Sequence, residues 1–213
     1  LHWFAQRWLG NPRDANGKIV LWPTQALETW QCPGYPPPKA GATCPSNDLP
    51  TIAGLHKVTE RVLSIVPTSI STPKQRERWA ALQGILPPLP VGPTPPHGSN
   101  DSGGAVEEMQ LRPCDVCPAH TSNVENAELY AVHPYRVYGI GRPTNLTLAL
   151  NAWKHKPFPS DVGWNQNAMD AAMLGLADDA AKMVLARAKT PPAKGYRFPV
   201  FAPHEQDYEP SAD

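Results

Sequence analysis

The hydrophobic pattern of the chain changes period along its length. Between Thr51 and Val66, the residues Ile52, Leu55, Val58, Val62 and Ile65 recur at spacings of three and four. His56, Lys57, Glu60 and Arg61 are left for the other faces, which is the signature of an amphipathic helix. The next helix has its start written into it: Thr72 as N-cap, Pro73 at the first helical position and Gln75 completing a capping box. It runs through Trp79 and Leu82 and stops by Pro87. Asn165 to Ala188 carries the longest stripe, formed by Met169, Ala172, Met173, Leu176, Ala180, Met183, Val184 and Ala188, and Pro191-Pro192 closes it. Shorter patterns predict a helix from Asn123 to Tyr138, kinked or locally ended at Pro134. Another is predicted from Thr144 to His155 through Leu146, Leu148, Leu150 and Trp153.

Between these stretches the periodicity is lost. Leu1 to Leu9 reads as the end of a helix, and Asn11 to Gly17 is dense turn chemistry closing on Asn-Gly. Lys18 to Trp22 reads as a short extended segment, and Pro23-Thr24 opens a polar turn carrying Gln25 and Glu28. Proline-rich segments are expected to form loop insertions at 33–50 and 87–118, since Pro87 to Gly104 cannot be helix. An aromatic tail, Tyr196 to Phe201, follows the last helix. Paired helices, unequal loops and almost no strand predict a mainly α fold built as an array of α-hairpins. No repeat of fixed length argues for a regular solenoid.

Composition narrows the function classes. The 213 residues include 19 Lys and Arg against 19 Asp and Glu, and the balance shows no basic stripe of the kind that binds nucleic acid. No apolar run approaches the roughly 18 residues that a bilayer span needs. Both termini read as cut, so a single fragment covering 1–213 is expected rather than a complete domain.

The four cysteines allow three pairings. The local pairs, Cys32 with Cys44 and Cys114 with Cys117, are the first reading. A four-thiolate zinc site is the rival, but eleven residues separate Cys32 from Cys44, too far for a metal knuckle. Asn100 and Asn145 both begin N-glycosylation tripeptides. Cysteine loops and sequons together point to the secretory pathway or the extracellular space.

Four segments in fixed order carry a resemblance: Lys18 to Trp30 (KIVLWPTQALETW), Pro50 to Leu63, Asn123 to Pro143 and Gly163 to Ala180. Arg197 to Pro210 adds a fifth, weaker one. Together they resemble the later part of six-hairpin glycosidase-like proteins related to glycoside hydrolase family 95. The resemblance implies part of an (α/α)6 toroid of helical hairpins, with a carbohydrate site at its mouth. Such a toroid needs about twice as many helices as this chain predicts, so the remainder of the same barrel becomes an implied partner.

Glycoside hydrolysis needs an acid for the leaving oxygen and a nucleophile or base on the other face of the sugar. Glu28 is the candidate general acid. It sits among Trp22, Thr24, Gln25 and Trp30, and it falls where the resemblance implies a catalytic glutamate. Glu125, Asn126 and Glu128 are candidate contacts to sugar hydroxyls, three residues putting the two glutamates on one helical face. At the Gln166-Asn167 pair the resembled proteins are expected to carry an Asp in second place, and an amide cannot act as a base. That departure favours a non-catalytic, carbohydrate-binding or structural glycoprotein as the alternative. Trp22, Trp30 and Trp164 are candidates for stacking on sugar, and Asp207 is a further acidic candidate, whereas Trp79 and Trp153 read as core. His120, His133 and His204 lack ligand spacing, so neither metal nor cofactor is expected. No phosphate-binding glycine loop and no nucleophile elbow appears.

Overall fold

A computed structural model describes residue 6 and residues 10–33, 43–93, 108–160 and 165–189. Among these the architecture is mainly helical: α1 Leu49–Ile65, α2 Pro73–Ile85, α3 Thr147–Lys154, α4 Asn167–Leu174 and α5 Ala177–Lys189. A 3-10 turn, Ala127–Ala131, and a two-stranded antiparallel ribbon complete it. In the ribbon β1 (Val91–Pro93) pairs with β2 (Met109–Leu111), Gly92 standing opposite Gln110.

The N-terminus of α1 is built by Asp48, whose side chain accepts the Thr51 N–H at 2.8 Å, with Pro50 in the first turn. The helix stops at Val66, just before Pro67. Its buried face is Leu49, Ile52, Ala53 and Leu55, each larger side chain contributing about 1.5–3 kcal/mol by leaving water. Farther along, the expected stripe opens to solvent at Val58 and Ile65. At α2 the expected capping box is present in full, with Thr72 and Gln75 each bonding the other's backbone N–H. Arg76 on α2 then ties the two helices together. Its guanidinium donates to the carbonyls of Leu63 and Val66 at 2.6 and 3.0 Å, satisfying the open C-terminus of α1. Leu82 is the one buried residue of α2, and Trp79 is half-buried rather than core.

Two expected helices are corrected. Asn123 to Tyr138 is not an α-helix but the short 3-10 turn followed by irregular turns. Pro134 has no amide hydrogen to continue a ladder, and Arg136 (φ 50°) and Gly139 (φ 147°) take up conformations that no helix contains. Asn165 to Ala188 is broken into α4 and α5 by Gly175, a left-handed residue at φ 84° whose N–H bonds back to Ala171 and Ala172. The stripe is consequently not one core face, since Met169 and Val184 are both exposed. Lys18 to Trp22 forms no strand and contributes one isolated bridge, Arg13 with Ile19. The segment 87–118 contains both strands of the ribbon.

Three buried clusters hold these elements together. The largest joins Leu49 and Ala53 of α1, Leu111 of β2, Leu129 and Val132, Ala149, Ala152 and Trp153 of α3, and Ala171 and Leu174 of α4. Ile19 and Leu21 pack with Ile52, Leu55, Leu82 and Leu86 in the second. Ala26, Trp30, Cys114 and Ala127 form the third. Both disulfides have the expected local pairing, Cys32–Cys44 and Cys114–Cys117, and none of the four cysteines is free. Their loops are joined to one another: Ser46 and Val116 form a bridge, and Asn47 Nδ2 donates to Asp115 Oδ2 at 2.7 Å. No described helix is long and apolar enough to cross a membrane.

Candidate functional site

Thr29 fixes the relation between the two acidic segments. Its side chain donates to the Glu125 carbonyl and accepts the Glu125 N–H, both at 3.3 Å, and its carbonyl accepts the Ser122 N–H at 2.8 Å. This buried threonine therefore clamps 122–125 against 28–29, residues nearly a hundred positions apart in sequence. Glu28 is exposed and takes a hydrogen bond from Asn123 Nδ2 at 3.3 Å. Glu125 is half-buried, and the Tyr130 hydroxyl donates to its Oε1 at 3.3 Å. Gln166 Nε2 reaches the same hydroxyl at 3.5 Å. Burial first, and the nearby charge of Glu28 after it, raise the Glu125 carboxyl above the ordinary range, with the Tyr130 hydrogen bond opposing them. The Tyr130 hydroxyl is itself pushed strongly upward by burial and by Glu125.

Asn126 and Asn167 lie directly behind this pair. Asn126 Nδ2 donates to Asn167 Oδ1 at 2.8 Å and to the Phe158 carbonyl at 2.7 Å, while its Oδ1 accepts the Phe158 N–H at 3.0 Å. Asn167 Nδ2 donates to the carbonyls of Phe158 and Ser160, both at 3.0 Å. Asn167 is 1% exposed and both ends of its amide are committed. It anchors the 158–160 segment.

Glu128 points elsewhere. It is 3% exposed, and among the described residues neither carboxyl oxygen meets a hydrogen-bond partner on another residue. Burial pushes its pKa up to about 8, the charge of Lys156 being a small opposing influence. It lines a cavity of about 300 Å³ together with Trp30, Gln110, Arg112 and His155. Trp30, expected at a cleft edge, is 8% exposed and packs at a tilt on Phe158, with ring centroids 6.4 Å apart.

The structure thus brings together Glu28, Glu125 and Gln166 in one cluster, Asn126 and Asn167 in the layer behind it, and Trp30 with Glu128 in the cavity. Gln25 lines a groove of about 500 Å³ with Leu27, Asp48, Thr51, Gly54 and Tyr135. Trp22 is 51% exposed. Trp164, Asp207 and Asn100 lie outside the described residues, as does His204, whereas Asn145 is exposed. Among the described residues no group of three or more His, Cys, Asp or Glu stands together as a metal site.

Sequence reasoning missed Thr29, Asn123 and Tyr130. Tyr130 lies five positions from Glu125, off the helical spacing that the sequence suggested, so its signal was its place inside the Asn123 to Pro143 segment. A scan against protein families finds none that matches this chain. A search of curated proteins likewise finds no match.

Proposed function

We propose that this chain is part of a glycosidase-like helical barrel whose mouth acts on or binds α-linked carbohydrate at the Glu28–Glu125 pair. The observation that carries the reading is that the buried hydroxyl of Thr29, bonded to the backbone of Glu125, holds together two segments that carry distant carboxylates, with Asn123, Tyr130 and Gln166 around them. A pair of carboxylates, one held partly out of water, is the equipment that glycoside hydrolysis requires. The surrounding amides and phenol are the donors and acceptors that sugar hydroxyls match. The resemblance to six-hairpin glycosidases supports the same reading, with the rest of the toroid completing the site.

The acid role expected of Glu28 has a rival in Glu125, whose burial and like-charged neighbour favour retention of a proton. The alternative is a non-catalytic carbohydrate-binding glycoprotein. One specific observation favours it: Asn167, where an acid was expected, spends its amide on the backbone of 158–160. The paired disulfides suit an oxidising, extracellular setting in either case.

Turnover of aryl α-glycosides by the full chain, by Glu28→Gln and by Glu125→Gln separates the readings. Hydrolysis lost by a factor of about 100 or more in either variant supports the enzyme. Binding without turnover supports the alternative, and neither binding nor turnover rejects both.

A further inference from the structure

The cavity behind Trp30 is not used by the Glu28–Glu125 pair, and its polar groups are unusual. Glu128, 3% exposed, and Gln110, 6% exposed, both line it. Both Glu128 carboxyl oxygens and Gln110 Oε1 are buried without a hydrogen-bond partner among the described residues. The Arg112 Nε–H is in the same condition, and Arg112 forms no ion pair among them either. Buried polar groups are nearly always satisfied, so three residues with orphans lining one cavity mark a place that something else completes.

The backbone is shaped to hold them there. Gly92 on β1 leaves the room that Arg112 fills, since a Cβ at Gly92 would stand 2.6 Å from Arg112 Cδ. Gln110 is held opposite Gly92 by the β1–β2 register. Trp30 supplies an aromatic wall, and Leu111, Pro113, Ala152 and Pro157 supply apolar ones.

We infer that this cavity is a binding site for one small neutral polyol, of the size of a single pyranose ring. At about 300 Å³ it stands at the lower end of ligand pockets, which run from about 300 to 1,000 Å³. The orphans comprise a donor on Arg112, an acceptor on Gln110 and a carboxyl on Glu128 that offers both while it holds its proton. Hydroxyl groups, which donate and accept at once, pair with all of them. A small ammonium ion is opposed by the Arg112 charge, and a small carboxylate leaves Gln110 Oε1 facing an oxygen. The apolar walls and the Trp30 ring suit the flat face of a sugar. The ligand class is read from the cavity alone and does not depend on the Glu28–Glu125 reading.

The test follows the Trp30 indole N–H in nitrogen-15 spectra of the full chain during titration with D-glucose, D-galactose and D-mannose. Acetate and methylammonium serve as charged probes. The expected result is a saturable shift of Trp30 with at least one sugar, weakened tenfold or more in Arg112→Met and in Gln110→Leu, and unchanged in Glu28→Gln. Two variants are used so that misfolding of one, seen as a collapsed spectrum, leaves the other to decide. Three results overturn the proposal: no Trp30 response to any of the sugars, which leaves the cavity to water; a stronger response to acetate or methylammonium; or an undiminished sugar response in a folded variant.

Discussion

The side chain of Asn126 donates to that of Asn167 at 2.8 Å, and both residues hold the same Phe158 carbonyl. The position where a glycosidase-like chain was expected to carry an acid is thereby a structural clamp. Converting it to an acid has a defined consequence. In Asn167→Asp the donors to Phe158 and Ser160 are replaced by an oxygen facing two carbonyl oxygens, so stability should fall by about 2–4 kcal/mol near neutral pH. The loss should shrink in acid, where the new carboxyl is protonated and donates again. Urea unfolding at pH 4 and pH 7 checks this, and equal stability of the two proteins at pH 7 contradicts the clamp.

Glu128 makes the folded state sensitive to pH. Its carboxyl titrates near 4.5 in the unfolded chain and is held up to about 8 in the fold. Below about pH 4.5 both states are protonated and the group is neutral in its effect. Between about 4.5 and 8 the unfolded state ionises first, so stability falls as pH rises, by a few kcal/mol in all, and levels off above. Glu128→Gln should remove this slope and be more stable than the parent at pH 8 but not at pH 4. A parent and variant with parallel stability–pH curves contradict it.

Gly175 separates α4 from α5. Its φ of 84° disfavours any side chain, and an added Cβ would meet Ile140 Cγ2 at 2.9 Å. Gly175→Ala should therefore lower stability by about 1–2 kcal/mol, measured as a drop in thermal midpoint. An unchanged midpoint shows that the helix break is not set by this residue.

Much of the local architecture could be read from residues alone, because caps and helical stripes act over a single turn. Thr72, Pro73 and Gln75 announce α2 without reference to anything distant, and the two disulfides join cysteines close in sequence. The failures share a physical cause. Val184 extends an apolar stripe that only tertiary packing can bury, and among the described residues it remains exposed. Gly175 sits inside a pattern that looks continuous until its backbone conformation is known. At the site, Glu28 and Glu125 each stand out in the sequence, but the hydroxyl that ties the Glu125 backbone to the segment of Glu28 belongs to Thr29. Nothing in the spacing of 28 and 125 announces that contact. Glu128 was grouped with Glu125 by helical spacing, and the 3-10 turn sends it to a different compartment.

The disulfides make their own prediction. Unreduced protein should show no free thiol, and reduction should cost about 2–4 kcal/mol, most of it from the wider Cys32–Cys44 loop. Thiol counting before and after denaturation measures it. Four reactive thiols in the unreduced, denatured chain overturn both pairs and weaken the extracellular reading.

The central claim, that the Glu28–Glu125 pair is a carbohydrate site, is tested most directly by calorimetric titration with a panel of α-linked disaccharides. Saturable binding of at least one disaccharide by the parent chain is expected, weakened about tenfold or more, roughly 1.4 kcal/mol, in both Glu28→Gln and the double variant Tyr130→Phe with Glu125→Gln. No saturable heat with any disaccharide, or the same affinity in folded variants and parent, contradicts it.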